Sequence, residues 1–331
     1  MKWRQQVKHR GHNEIENILK PLWADYDPNE PHEIRKSQLV HYTSANVLQS
    51  FLKDGEIWLS NPLLMNDYQE LRFGLLNAVK ILKENHAIRT AFETAERHER
   101  FVSCLEKQLT LFDEKHVFDV YVFCMSEHDP ANEDGLLSMW RGYGSNASGV
   151  AIVFDASKLP PPENGPLILA KIVYTNDEKR LQWITDTAVK FAEIVAQTGF
   201  LDEEIADCTH YLFYRMKMFA LFSKHIGFQE EREIRLAYLP ELDVEKRFKD
   251  YLGFFVGPNG PEPKLKLPIE SFLRERGPAY TLSNIVERII LGPTSSSALS
   301  VKTVQRICQQ SQRADLAVKI WASTIPFRVR R

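Results

Sequence analysis

Two nearly continuous apolar runs place the strongest limits on how this chain can fold. Val117 to Met125 reads VFDVYVFCM and Gly149 to Phe154 reads GVAIVF, so both are rich in β-branched and aromatic side chains. Such runs are typical of buried strands. We therefore predict an α+β fold in which a central mixed or largely antiparallel sheet is flanked by helices.

The segment between these two predicted strands is the first candidate site. After an acidic loop it presents Trp140, Arg141 and Tyr143. Aromatic rings beside an arginine suit a flat charged or phosphorylated ligand, because the rings stack on it and the guanidinium pairs with phosphate. The alternative is that Trp140 and Tyr143 fill the core beneath the loop. The residues alone leave both interpretations open.

An earlier corner, Leu39 to Ser44, is the second candidate site. It is a short apolar run that carries His41 and Thr43, and it is followed by a predicted helix over Asn46 to Leu52 and a predicted strand over Ile57 to Leu59. A side chain that faces the first turn of a helix can meet an anion or a polar ligand, because the first N–H groups of the helix point outward. The alternative is that His41 caps the sheet, and that Thr43 or Ser44 caps the helix.

A late predicted strand supplies the third candidate site. From Arg232 to Tyr238 charged and apolar residues alternate, which predicts that Glu231, Glu233 and Arg235 project from one face. The arginine can then orient one carboxylate while the other acts on a substrate. An edge strand with solvated charges gives the same alternation.

A polar stretch from Asn66 to Glu70 opens another predicted helix. Asp67 and Glu70 have the spacing of a capping box, which explains both without any catalytic role. Phosphodiester hydrolysis by a metal held on Asp67, Glu70 and Glu231 is therefore the weaker interpretation. We predict no metal site.

Composition limits the partners and the compartment. The formal net charge of −2 gives no global attraction to nucleic acid or to an acidic membrane. The four cysteines lack metal-ligand spacing, and the sequence shows neither the apolar core of a signal peptide nor a run long enough to span a bilayer. We expect a cytoplasmic protein that does not contact membranes.

The distribution of polar residues and prolines predicts the domain organisation. Residues 1–36 are polar, and prolines follow their one amphipathic helical face, so we predict an N-terminal arm. Residues 37–331 are predicted to form a single α+β domain with a helical insertion at about 176–226, broken near Gly199.

Four motifs taken together are more specific than any one of them. They are His41-Tyr42-Thr43; Asn66-Asp67 with Glu70; Trp140 and Tyr143 followed by Gly149-Val150; and Glu231, Glu233 and Arg235 followed by a strand that ends Leu291-Gly292-Pro293. From about Leu39 to Pro293 this combination resembles the bacterial family catalogued as domain of unknown function 2971. Over the corner and the late Glu-x-Glu only, the chain also resembles the ADP-ribosyltransferase fold. In that fold a histidine, an aromatic residue and a glutamate surround NAD.

The second resemblance implies roles for individual residues. His41, assisted by Thr43, would hydrogen-bond the adenosine-side ribose of NAD, and Tyr143 or Trp140 would stack on the nicotinamide. Glu233 or Glu231 would bind the 2′-hydroxyl of the nicotinamide ribose and stabilise the positive charge that develops as the glycosidic bond breaks. Arg141 or Arg235 would meet the pyrophosphate or fix the glutamate.

The first functional hypothesis is NAD-dependent ADP-ribosyl transfer or NAD glycohydrolysis, with NAD as the substrate. The resemblance implies a bacterial toxin or a phage-defence effector whose acceptor is nucleic acid, protein or water. Because the net charge is near zero, a nucleic-acid acceptor would need a local basic cleft. The candidates for it are Lys217, Lys224, Arg232 and Arg235.

The second functional hypothesis is a non-enzymatic module that binds a nucleotide or a partner protein in the same pocket. Geometry separates the two hypotheses, because an enzyme needs His41 and one of Glu231 or Glu233 in a shared cleft.

Overall fold

The computed structural model of the chain describes residues 9–27, 29–65, 68–161, 165–257 and 260–327. Its α-helices are α1 (His12–Leu19), α2 (Glu30–Ile34), α3 (Ala45–Asp54), α4 (Tyr68–Glu84), α5 (His86–Ala91), α6 (Ala95–Leu111), α7 (Val117–Asp119), α8 (Leu137–Gly142), α9 (Asp177–Thr198), α10 (Ile205–Leu221), α11 (Ile269–Glu275), α12 (Leu282–Ile285), α13 (Ala298–Gln310) and α14 (Ala314–Ala317). Its strands are β1 (Gln38–Thr43), β2 (Glu56–Ser60), β3 (Tyr121–His128), β4 (Val150–Asp155), β5 (Leu167–Lys171), β6 (Val173–Thr175), β7 (Ser223–His225), β8 (Glu233–Tyr238), β9 (Leu252–Gly257), β10 (Gly260–Pro268), β11 (Val286–Leu291) and β12 (Ile320–Ala322). Within the described ranges, none of the helices has the length and apolar character that a membrane crossing requires.

The chain divides into two compact units, each assembled from separate stretches of sequence. The helical unit takes residues 1–28, 62–119 and 173–228, and the sheet unit takes residues 29–61, 120–172 and 229–331. The helical insertion predicted at about 176–226 lies in the helical unit, which also includes the two other stretches.

Aromatic packing holds the long helices of the helical unit together. Phe92 follows α5, Phe101 lies on α6 and Phe191 lies on α9, and all three are fully buried. The Phe101 ring centroid lies 5.1 Å from that of Phe92 and 5.8 Å from that of Phe191. The predicted break near Gly199 is confirmed: α9 ends there because Gly199 takes a left-handed φ of 58° and its N–H bonds the carbonyl of Val195.

Residues 9–27, which are part of the predicted N-terminal arm, pack within the helical unit. Ile15, Leu19 and Leu22 are almost fully buried. Arg215 of α10 donates to both carboxylate oxygens of Asp25, at 2.7 and 2.6 Å. These residues are therefore an integral element of the helical unit.

The predicted mixed or largely antiparallel sheet is confirmed in the sheet unit. Eight strands run in the order β12-β11-β4-β1-β3-β2-β10-β9, while β8 pairs with β3 and β5 pairs with β8. Among the described strands of this sheet, every pairing is antiparallel except that of β11 with β12, and β6 and β7 form a separate parallel pair. The first apolar run forms β3 only from Tyr121, because Val117–Asp119 is the short helix α7, and the second run forms β4. The two strands lie on either side of β1, so they are central as predicted.

The strand registers separate the two faces of this sheet. Residues paired directly across antiparallel strands project to the same face, and neighbours along a strand project to opposite faces. One face, here the large-cluster face, packs the larger apolar cluster and includes Leu39, Phe123, Ile152 and Ile234. The other, the small-cluster face, packs the smaller cluster and includes Val40, Tyr42 and Val153, against which Trp140 of α8 packs.

Strand β10 is hard to recognise in the sequence, because the proline- and glycine-rich stretch through Pro263 predicts a loop. The strand pairs with β2 only over Lys264 to Pro268 and with β9 from Gly260 to Leu265. Pro261 and Pro263 therefore lie where β10 has a single neighbour, and a missing N–H is tolerated at such a position. The sequence also predicts a last strand over Leu316 to Trp321, but only Ile320 and Trp321 belong to β12, while Leu316 and Ala317 end the helix α14.

Candidate functional site

Two contacts hold the His41 ring in place, a hydrogen bond at its edge and a stacked aromatic ring on one face. His41 lies on β1, and its pairing with Ile152 puts the side chain on the large-cluster face. Nδ1 lies 2.8 Å from the carbonyl oxygen of Cys124. The ring stacks on Phe123, with the centroids 4.2 Å apart and 28° between the planes. His41 is therefore a fixed, half-buried group.

Strands β1 and β3 part at His41. Their ladder consists of three registered pairs and ends where Val40 faces Ser126. Beyond that point β1 continues to Thr43 beside β4. The Cys124 carbonyl, which a continued ladder would have paired with the backbone of β1, meets the imidazole of His41. The imidazole of His41 thus bonds the Cys124 carbonyl in place of a backbone group of β1, at the point where the two strands separate.

The surroundings of His41 keep its ring neutral. Burial lowers the pKa of His41 to about 4, although the hydrogen bond to the Cys124 carbonyl acts in the opposite direction. Because a carbonyl can only accept, the neutral ring carries its proton on Nδ1 and leaves Nε2 as an acceptor. In the part of the chain that the structure describes, Nε2 has no hydrogen-bond partner.

The rest of the corner is explained by capping and strand pairing. Ser44 caps α3 by accepting the N–H of Val47 at 3.3 Å, and Gly55 ends the helix with a φ of 64°. Thr43 is the last residue of β1, pairs with Val150 and is buried. Asn66 and Asp67 lie outside the described residues.

Trp140 is part of the core, which is one of the two interpretations that the sequence left open. It lies on α8 and is completely buried in the small cluster. Its Nε1 donates to the carbonyl of Asp134 at 2.8 Å, and Tyr42 meets the indole edge-on at 4.9 Å. Both faces of this ring are therefore taken up by protein. Arg141 next to it is exposed, with its guanidinium 5.0 Å from the centroid of the Phe327 ring.

Tyr143 and Glu231 are two predicted site residues that the fold brings into contact. Tyr143 follows α8 and is half-buried, and its hydroxyl donates to Oε1 of Glu231 at 2.7 Å. Ser138 on the same helix donates to Oε1 of Glu230 at 2.9 Å. Both carboxylates belong to the 3₁₀ segment Ile226–Glu231 that precedes β8. Two hydroxyls therefore orient two adjacent carboxylates.

Glu233 and Arg235 form a buried ion pair on β8. Nε and Nη2 of Arg235 each lie 2.8 Å from Oε1 of Glu233, and the two residues are only 5% and 4% exposed. The prediction that these two share a strand face is confirmed. Glu231 lies outside the strand, because Arg232 takes a left-handed φ of 44° and the alternation begins only at Glu233.

The sheet does not place His41 and Glu233 on the same face. Val40 pairs with Ser126, and Ser126 pairs with Glu233, so Glu233 projects to the small-cluster face. His41, one residue after Val40, projects to the opposite face. The candidate residues thus form two groups, one at His41 and one at Tyr143, Glu231 and Glu233. His41 and Glu233 therefore do not form the shared cleft that the NAD-cleaving hypothesis requires of them.

Sequence reasoning missed several members of both groups. Phe123 was identified only as part of an apolar run, although it stacks on His41. Ser138 and Glu230 were not singled out at all, although they form a second hydroxyl–carboxylate contact beside that of Tyr143. The position of Glu230 directly before Glu231 is the one feature of the sequence from which Glu230 could have been predicted as a site residue.

The fold and these two groups define a class of protein: an α+β protein with a half-buried, neutral histidine where β1 and β3 separate, and with carboxylates that accept hydrogen bonds from hydroxyls just before β8. Within the chain, residues 139–236 match the family described as protein of unknown function (DUF2971). The match runs from α8 to β8 and so includes Tyr143, Glu231 and Glu233, while His41 lies outside it. No curated protein and no solved structure matches the chain.

Proposed function

We propose that the chain binds a nucleotide of the NAD class where β1 and β3 part. The observation that supports this proposal is the fixed neutral imidazole of His41, whose Nδ1 is committed to the Cys124 carbonyl. Its Nε2 can accept a ribose O–H or a carboxamide N–H. Because burial lowers the pKa of His41 to about 4, the ring stays neutral and this acceptor remains available at neutral pH. The resemblance of the corner to NAD-binding folds agrees with this ligand class.

Cleavage of NAD is a second candidate function, favoured by the contact between Tyr143 and Glu231. Because His41 and Glu233 project from opposite faces, it would have to proceed at this contact without His41. A carboxylate that is already oriented by a hydroxyl can bind the 2′-hydroxyl of the nicotinamide ribose and stabilise positive charge on the sugar. The glycosidic C–N bond would break with its electron pair leaving on nicotinamide. Water, a protein or a nucleic acid would then form the new bond to C1′ and release a proton to the carboxylate or to solvent.

Glu231 is the better candidate than Glu233 for this catalytic carboxylate. Glu233 is almost fully buried and paired with Arg235 within the sheet, whereas Glu231 is half-buried and lies in the segment before the strand, where a ligand can reach it. A role as a bacterial toxin or phage-defence effector belongs to this second candidate, since it requires that NAD be consumed.

Binding is tested by calorimetric titration of the full chain with NAD, ADP-ribose and nicotinamide. The wild type should bind NAD. His41→Asn should bind it about tenfold more weakly, the effect of losing one hydrogen bond to a ligand. His86→Asn, at an exposed histidine on α5, is the matched control and should bind like the wild type. Unchanged affinity in His41→Asn, or no binding by the wild type, would overturn the proposal.

Cleavage is tested by measuring nicotinamide release from NAD in buffer alone and with RNA, DNA or cell protein. Glu231→Gln should abolish release, and Tyr143→Phe should slow it without abolishing it. Glu233→Gln shows whether the neighbouring carboxylate is needed. Binding without release under any condition would leave the binding function standing and end the second candidate, whereas full release by Glu231→Gln would exclude this carboxylate.

A further inference from the structure

The outermost strand of the sheet, β9, presents an unusually apolar edge. It pairs with β10 along one edge, and no strand of the described residues pairs with the other. Leu252, Phe254 and Val256 project to the same face and are 46%, 67% and 66% exposed. The strand reads LGFFVG, without a charged residue or a proline.

This edge lacks the usual protection against pairing with another strand. Edge strands normally carry charges, prolines or bulges, because their unpaired N–H and C=O groups can otherwise recruit a further strand. The neighbouring strand extends the apolar surface, since Pro263 pairs with Phe254 and Pro261 with Val256 on the same face. An open edge beside an exposed apolar patch is typical of an interaction site.

We propose that β9 pairs with β9 of a second copy of this chain. The two strands run antiparallel about a two-fold axis at Phe254, and the two sheets become one continuous sheet. In this register Phe254 faces the partner's Phe254, and Leu252 faces the partner's Val256. On the opposite face, Phe255 lies over the partner's Gly253.

The sequence of β9 is complementary to itself in this register. A two-fold axis perpendicular to the sheet leaves each residue of the second copy on the same face of the sheet as in the first. Only residues of the same face can therefore pair across the axis. A register shifted by one residue would pair residues of opposite faces and is forbidden. With the axis at Phe254, the three exposed apolar residues of each copy meet those of the other in one stripe. Gly253, opposite Phe255, has no side chain, and the methylene groups of Lys266 lie beside it, so the ring packs against that alkyl stem.

Charge also favours a second copy over a different partner. A two-fold axis brings every group near it against its own copy, so any charge close to the axis would be repelled. Strand β9 has none. On β10 the carboxylate of Glu262 is neutralised within the subunit by Lys264, 2.9 Å away, and the Nζ of Lys266 is held 4.6 Å from the ring centroid of Trp58. A charged partner would find no complementary group on this edge.

The first test is the mass of the full chain in solution, measured by light scattering on a sizing column. The wild type should elute with twice the mass of the chain, and Phe254→Lys should elute with the mass of one chain. Val244→Lys, at an 87% exposed valine of the sheet unit, is the matched control and should remain a dimer. A wild type with the mass of one chain, or a dimeric Phe254→Lys, would overturn the proposal.

The second test is the register, measured by disulfide formation between single cysteine variants under mild oxidation. Phe254→Cys should give a linked dimer, because residues directly opposite lie within the Cα distance that a disulfide spans. Val256→Cys should not, since its copy lies four residues along the strand, about 14 Å away. The wild type controls for the four native cysteines. Equal linking in both variants would overturn the register centred on Phe254.

Discussion

The Nδ1 atom of His41 lies 2.8 Å from the carbonyl oxygen of Cys124, and this one hydrogen bond sets both the tautomer and the position of the ring. A neutral imidazole has one donor and one acceptor, so committing the donor to the backbone leaves Nε2 to accept. Burial makes this state persistent, because it holds the pKa near 4 and keeps the ring neutral through the physiological range. The proposed ligand contact depends on that neutrality.

The low pKa of His41 predicts a specific dependence of stability on pH. The unfolded chain takes up a proton at His41 below about pH 6.5, while the folded chain does so only near pH 4, so stability is full above 6.5 and is lost as the pH falls through this interval. Between pH 7 and pH 4 the free energy of unfolding of the wild type should fall by about 3 kcal/mol more than that of His41→Gln. Urea denaturation at several pH values measures the difference.

The comparison of the wild type with His41→Gln is needed because other histidines also contribute to the dependence of stability on pH. Burial also lowers the pKa of His98, His116, His128 and His210, and their contribution is the same in both proteins. His86→Gln, at an exposed position, should follow the wild type at every pH. Parallel curves for the wild type and His41→Gln would contradict a neutral His41.

The buried pair of Glu233 and Arg235 predicts a large loss of stability when one partner is removed. Arg235→Gln leaves a carboxylate in the interior without its bidentate partner and should lower the free energy of unfolding by about 3–5 kcal/mol. Arg232→Gln is the matched control, because Arg232 pairs with Glu127 at 2.9 Å through a side chain that is more than half exposed. That change should cost less than about 1 kcal/mol. Similar losses in the two variants would argue against a buried ion pair.

Local sequence patterns were sufficient to predict most helices and strands, but they did not predict the division of the chain into two units. Strand β4 and the end of α9 at Gly199 were predicted because a continuous apolar run and a left-handed glycine are decided by neighbouring residues. The two units were not predicted, since each is assembled from stretches far apart in sequence and no change of composition marks the crossing at Asn61 and Pro62.

At the candidate site, it was easier to predict which residues are involved than to predict from which face of the sheet each of them projects. His41, Tyr143, Glu231 and Glu233 were all singled out by chemistry and spacing, and Tyr143 does meet Glu231. That His41 and Glu233 project from opposite faces follows from the registers of β1 with β3 and of β3 with β8. Such registers are set by tertiary packing, and a shift of one residue reverses them.

Replacing Gly149 by alanine is predicted to destabilise the folded chain. A Cβ there would collide with the carbonyl oxygen of Thr43 and with the backbone of Gly144, so Gly149→Ala should lower the free energy of unfolding by about 1–3 kcal/mol. Gly142→Ala is the control, because a Cβ at that position of α8 meets nothing within 4 Å. That variant should be as stable as the wild type or up to about 1 kcal/mol more stable. Equal behaviour of the two in thermal or urea denaturation would refute this account of the corner.

Arg215 ties residues 9–27 to the helical unit through several contacts at once. Its guanidinium carbon lies 4.7 Å from the ring centroid of Trp23 and 4.5 Å from that of Trp183, and its Nε donates to the carbonyl of Leu22 at 3.1 Å. Burial raises the pKa of Asp25, but the hydrogen bond from Trp183 and the charge of Arg215 outweigh it and leave that pKa below its usual value. The pair is therefore ionised at neutral pH.

Replacing this arginine should loosen the N-terminal segment without unfolding the sheet unit. In Arg215→Met, amide protons of α1 should exchange at least about tenfold faster, because losing the ion pair and the cation–π contacts removes more than about 1.4 kcal/mol of local stability. Exchange in β4 should stay unchanged. Arg89→Met, at an exposed position of α5, should leave both regions as they are. If α1 exchanged equally slowly in Arg215→Met, burial of Ile15, Leu19 and Leu22 would be enough by itself to hold the segment in place.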